Sequence, residues 1–68
     1  MTYANPRPAI TRTRFPELGI QQQGPRLWRF LDLTEDYGGR FAAVGDHYRT
    51  KAEALADLER YAREVWRL

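Results

Sequence analysis

Thr50-Lys51-Ala52-Glu53-Ala54-Leu55-Ala56-Asp57-Leu58-Glu59-Arg60-Tyr61-Ala62-Arg63-Glu64-Val65-Trp66 is the stretch that decides the fold. Thr50 and Glu53 make a T-x-x-E capping box, in which each side chain satisfies a free backbone N–H at the start of a helix. Behind it Ala54, Leu55, Leu58, Tyr61, Ala62, Val65 and Trp66 recur at spacings of three and four, which is one wide apolar stripe. Glu59 precedes Arg63 as a correctly ordered i,i+4 pair. Arg60, Arg63 and Arg67 gather where the helix dipole favours cations. With no proline or glycine inside it, the pattern predicts a helix from residue 51 to the end.

Upstream, Leu27-Trp28-Arg29-Phe30-Leu31-Asp32-Leu33-Thr34 and Arg40-Phe41-Ala42-Ala43-Val44 are dense in the aromatic and aliphatic residues of strands. Between them Gly38-Gly39 supplies the positive φ that a two-residue hairpin turn needs. That turn sets Leu33 opposite Val44 and Phe30 opposite His47. Alternation then puts Leu27, Leu31, Leu33, Ala42, Val44 and Tyr48 on one face, and Trp28, Phe30, Phe41, Ala43 and His47 on the other. The first face is expected to pack on Leu55, Leu58, Ala62 and Val65, leaving the Trp28/Phe30/Phe41 face without a helix.

All four prolines lie in residues 1–25, so this region reads as an extended, basic, Pro-rich arm that adds at most one edge strand, at Ile10–Phe15 or Leu18–Gln23. Residues 26–68 form the expected ββα domain. The fold class is α+β: a small antiparallel sheet, a hairpin with room for a third N-terminal strand, packed on one C-terminal amphipathic helix.

A chain of 68 residues without cysteine has no disulfides to stabilise a small core, and a second domain is not expected. No apolar run is long enough to span a bilayer, so the cytoplasm is the default location and no membrane partner is expected. Charge is uneven: up to Leu31 five arginines face Glu17 alone, and from Asp32 six cations face eight carboxylates. A basic arm on a near-neutral body suits a nucleic acid or an acidic protein, and it equally suits a solvated tail.

Catalytic parts are missing. There is neither Cys nor Ser, and His47, the only histidine, has only Thr34 as a nearby hydroxyl. Glu35-Asp36 flank a turn, and Gly38-Gly39 lacks the lysine and the glycine spacing of a phosphate loop. One histidine with carboxylates is a poor metal set. No enzyme, no cofactor, no metal and no roomy ligand pocket are expected.

Tyr48-Arg49-Thr50-Lys51-Ala52-Glu53-Ala54, an aromatic residue followed by Thr-Lys and then Glu-Ala opening a helix, resembles the arm-type DNA-binding domain of phage integrases. Trp28, Gly38-Gly39-Arg40 and the helix follow in the same order over residues 27–63. The resemblance implies a three-stranded sheet on one helix, a phage or mobile-element origin, and a sheet face entering a DNA groove with Arg40 and Arg49 as contributors. Against this, Asp32, Glu35, Asp36 and Asp46 stand on the hairpin where those domains carry cations.

Because four hairpin carboxylates would repel phosphates, the sequence favours a small protein-binding regulator or inhibitor that covers a partner's surface with Trp28, Phe30, Arg40, Phe41 and Arg49. The alternative is a nucleic-acid-binding module using Arg12, Arg14, Arg26, Arg40 and Arg49. A homodimer through the sheet or the C-terminal helix, at Trp66 and Leu68, is a further expectation. A competing reading of the aromatic patch has the N-terminal segment fold back, with Phe15, Leu18 or Ile20 covering it as ordinary core.

Overall fold

The computed structural model describes residues 8–68; Pro6 and Arg7, counted with the basic arm, lie outside the described residues. Four strands, β1 (Thr11–Arg12), β2 (Leu18–Gly24), β3 (Leu27–Asp32) and β4 (Ala42–Tyr48), precede one helix, α1 (Lys51–Glu64). The strands form one antiparallel sheet in the order β1-β2-β3-β4, and the helix packs on one side of it. The α+β class is as expected, with two N-terminal strands rather than one.

β2 corrects the reading of residues 1–25. It is an internal strand, pairing with β1 through Thr11–Ile20 and with β3 through Leu18–Asp32 and Ile20–Phe30. Pro16 and Pro25 sit at its flanks rather than inside it, so its N–H groups remain free to pair. The boundary expected after residue 25 falls in the tight turn Pro25–Arg26 between β2 and β3.

The β3–β4 register also differs from expectation. Gly38 and Gly39 do form a tight turn with φ of 67° and 86°, and Tyr37 N–H donates to the Arg40 carbonyl at 2.8 Å. Pairing does not continue from there. The Asp32 carboxylate accepts from the Thr34 N–H at 2.8 Å and from its hydroxyl at 2.5 Å, curling residues 33–34 into a turn. Four residues (33–36) on one side are thus spanned by Phe41 alone on the other before the ladder resumes at Asp32–Ala42, Leu31–Ala43 and Phe30–Val44. An odd slip exchanges the faces of one strand relative to its partner. Val44 and Tyr48 therefore share a face with Phe30 and Trp28, not with Leu31 and Leu33.

That shared face carries the core. Leu18, Ile20 and Phe30 are buried beneath Ala54, Leu58, Tyr61 and Ala62, with Phe15, Trp28, Val44, Tyr48 and Trp66 packed around them. The Phe30 ring stacks on Tyr61 at 4.9 Å and tilts against Tyr48 at 5.2 Å. The competing expectation is right that Phe30 is core with Leu18 and Ile20, but these two lie beside it in the sheet and the helix is what covers it; the helix-free aromatic patch does not form.

The capping box is present: Glu53 N–H donates to Thr50 Oγ1 at 3.0 Å, and Glu53 Oε1 accepts from the Arg49 N–H at 2.9 Å. Glu59 and Arg63 pair at 2.9 Å. The helix stops at Glu64, short of the chain end, as Arg67 turns into the left-handed region at φ 59°. Leu55 and Val65, expected in the core, are 45% and 57% exposed, because a lone helix buries only the positions directly above the sheet.

Candidate functional site: the helix-free face of the sheet

Alternation from the buried Phe30 fixes what the other side of the sheet presents. It carries Arg12 from β1, Gly19 and Gln21 from β2, Arg29 and Leu31 from β3, and Ala43 from β4. Leu31 is only 1% exposed although no helix covers it, because neighbouring side chains enclose it. One of them is Ile10, whose Cγ2 would lie 2.9 Å from a Cβ built on Gly19. The bare glycine lets Ile10 and Leu33 close over the sheet beside Leu31.

A groove of about 430 Å³ opens on this face. Its apolar lining is Pro8, Ile10, Leu31 and Phe41, and its polar lining includes Gln21 and Arg40. Gln21 is held in place: its Nε2 donates to the Pro8 carbonyl at 3.0 Å, and its Oε1 accepts from Gln23 Nε2 at 3.3 Å. A recess of this size was not expected from a chain so short; it is bounded by Pro8 and Ile10, which precede β1, and by Gly39, Arg40 and Phe41 of the β3–β4 loop.

Charge is sorted by face. By register both strand cations, Arg12 and Arg29, fall on the face away from the helix, although Arg12, at the sheet edge, also borders a recess shared with Leu55, Leu58 and Glu59 of the helix. Arg29 Nη2 donates to the Gly45 carbonyl at 3.0 Å, while its Nε is buried without a partner. Both strand carboxylates lie on the helix side: Asp32 shares the alternation of Leu18 and Phe30, and Asp46 is 4.0 Å from Arg60. Glu35 accepts from the Tyr37 hydroxyl, whose pKa is raised by that bond, and Asp36 accepts from the Gly39 N–H at 2.5 Å.

The helix side has its own ionic network. Asp57 accepts from the Tyr48 hydroxyl and from Arg60 Nε and Nη2, at 2.5 and 2.7 Å. The Arg60 guanidinium, with Tyr48 second, holds the Asp57 carboxyl down to about 2. Burial, and then the bond to Asp57, raises the Tyr48 phenol. Arg14 pairs with Glu59, which Arg63 and Arg14 together hold below the usual carboxylate range.

The residues expected in the site are therefore divided. Phe30 is core and Trp28 packs against the core, so neither belongs to the free face. Phe41 and Arg40 do come together, at the groove. Arg12 lies on the same face, Arg26 at the exposed tip of the β2–β3 turn, and Arg49 exposed at the β4–α1 junction. Arg14 is on the helix side, bound to Glu59. Trp66 packs on the core and donates its indole N–H to the Tyr61 hydroxyl at 3.1 Å. Arg29, Gln21, Leu31 and Ile10 were missed. The signal was the apolar alternation Leu18, Ile20 and Trp28, Phe30, which sends Gln21 and Arg29 outward once β2 is accepted as a strand.

No family model, curated protein or solved structure matches the chain. Among the described residues no helix is long and apolar enough to cross a membrane.

Proposed function

We propose that the chain is a non-catalytic nucleic-acid-binding module that meets its ligand with the helix-free face of the sheet. The observation that carries this reading is the sorting of charge, with Arg12 and Arg29 on that face and the strand carboxylates Asp32 and Asp46 on the other. The repulsion that favoured a protein partner assumed hairpin carboxylates beside the arginines; Asp32 and Asp46 face away, while Glu35 and Asp36 stay bonded within the β3–β4 loop. Arg40 on the groove wall adds a third cation, and Arg26 is exposed at the β2–β3 turn. The resemblance of the Tyr48–Ala54 junction to integrase arm-type domains supports the same reading.

The test is fluorescence anisotropy of labelled random-sequence oligonucleotides across a salt series. Neutralising phosphates with Arg12, Arg26, Arg29 and Arg40 gives a slope of log K against log salt of about −3 to −4. Arg29→Glu weakens binding strongly and Arg14→Glu weakens it little, since Arg14 is on the helix side. No binding at low salt, or a flat salt dependence, ends the proposal.

The apolar lining of the groove favours a second reading, a protein segment that buries a side chain on Ile10 and Phe41. Binding of that kind depends on Phe41 and is nearly insensitive to salt.

A further inference from the structure

Resting on the nucleic-acid reading, we infer that the groove beside Phe41 receives an unpaired base, so that the preferred ligand is single-stranded. A duplex keeps its bases stacked inside and presents phosphates outward. It would reach Arg12, Arg29 and Arg40 and leave the half-buried Ile10 and Phe41 of the recess facing water. A single strand can turn one base into the recess, where its plane meets the Phe41 ring, because every base has a π-face for an aromatic side chain. Gln21 is already oriented by Pro8 and Gln23, and it keeps one amide proton and one oxygen lone pair for the edge of that base. Arg40, next to Phe41 in the chain and on the groove wall, is placed for the phosphate of the same nucleotide.

Arg29 lies one side-chain repeat along β3 from Leu31, about 6–7 Å away on the same face. Arg26 lies further along, at the β2–β3 turn. Cations spaced along a strand axis, with a recess at one end, fit a chain that carries a charge at every unit.

The experiment compares labelled oligothymidylate, a duplex of equal length, and the same oligomer with abasic residues at its centre, all at low salt. The full chain is used, with Phe41→Leu and Arg29→Gln variants whose folding is checked by thermal denaturation. Phe41→Leu keeps an apolar floor and removes only the aromatic plane. The expected result is single-strand binding about tenfold tighter than duplex, lost in the abasic oligomer and reduced to parity by Phe41→Leu. Shifts of the Gln21 side-chain amide and the Ile10 methyls on adding oligothymidylate locate the base. Equal affinity for duplex, single strand and abasic oligomer overturns the inference and leaves the polyanion reading standing. Failure of every oligonucleotide to bind overturns both. So does an acidic tryptophan-containing peptide that shifts the same groove signals while oligothymidylate does not.

Discussion

The Tyr61 ring lies against Gly45: a Cβ on Gly45 would stand 2.9 Å from Cε1 and 3.0 Å from Cζ of that ring. Gly45 also has a φ of 79° and occupies the bulge where β4 slips against β3 between Trp28–Tyr48 and Phe30–Val44. The bulge thus does two things. It lets Tyr61 reach Phe30, and it turns the Gly45 carbonyl to Arg29. Gly45→Ala combines a left-handed backbone with a steric clash and should cost about 2–4 kcal/mol, read as a lower urea midpoint. An unchanged midpoint would show that β4 pairs with β3 without this bulge.

The two faces should respond differently to truncation. Phe30→Ala removes a fully buried ring and is expected to cost about 3–5 kcal/mol, most of what a domain this small has to spare. Phe41→Ser, on the helix-free face, should leave a cooperative unfolding transition and mainly affect binding. If Phe41→Ser abolishes the transition while Phe30→Ala does not, the faces have been exchanged.

Arg26 holds a φ of 53° in the β2–β3 turn, where glycine sits without strain. Arg26→Gly should raise stability by up to about 1 kcal/mol, the gain being limited by the freer unfolded chain. The same change should weaken nucleic-acid binding and make the salt slope shallower by about 1. A gain in stability with unchanged binding would remove Arg26 from the contact surface.

Asp57 ionises more readily folded than unfolded, since Arg60 and Tyr48 hold its carboxyl down to about 2 from 3.8. Its contribution is therefore complete above the higher value and is lost as pH falls through the lower one. Thermal midpoints should decline across that window, and Asp57→Asn should flatten the decline while lowering the midpoint at neutral pH. A decline as steep in Asp57→Asn as in the parent would assign the acid sensitivity to other carboxylates.

The helix was readable from the chain because its signals are local: Thr50 and Glu53 cap it, and Ala54, Leu58 and Ala62 fall at fixed spacing. The sheet was readable in kind but not in register. Gly38-Gly39 turns the chain as its composition implies, yet the Asp32 side chain draws Thr34 back and three extra residues loop out. A side chain that bonds two residues ahead competes with the ladder, and period-two reasoning has no term for it. The candidate site followed that error. Phe41 and Arg40 were found because they precede β4 on the loop, whereas Trp28 and Phe30 were assigned to the wrong side and Arg29 was left out. Gln21 was hidden by the prolines around β2, which mark its ends rather than break it.

Neighbouring residues of β3 serve opposite masters: Phe30 belongs to the interior, Arg29 and Leu31 to the outer surface. Two vocabularies are thus interleaved letter by letter in one short segment. Replacement at the outward positions can retune what the module recognises while the interior stays as it is. Insertion or deletion of a single letter would swap the two vocabularies over the rest of the strand at a stroke. Diversification of this protein is therefore open to substitution within β3 and closed to changes in its length, and relatives should vary with a beat of two along it.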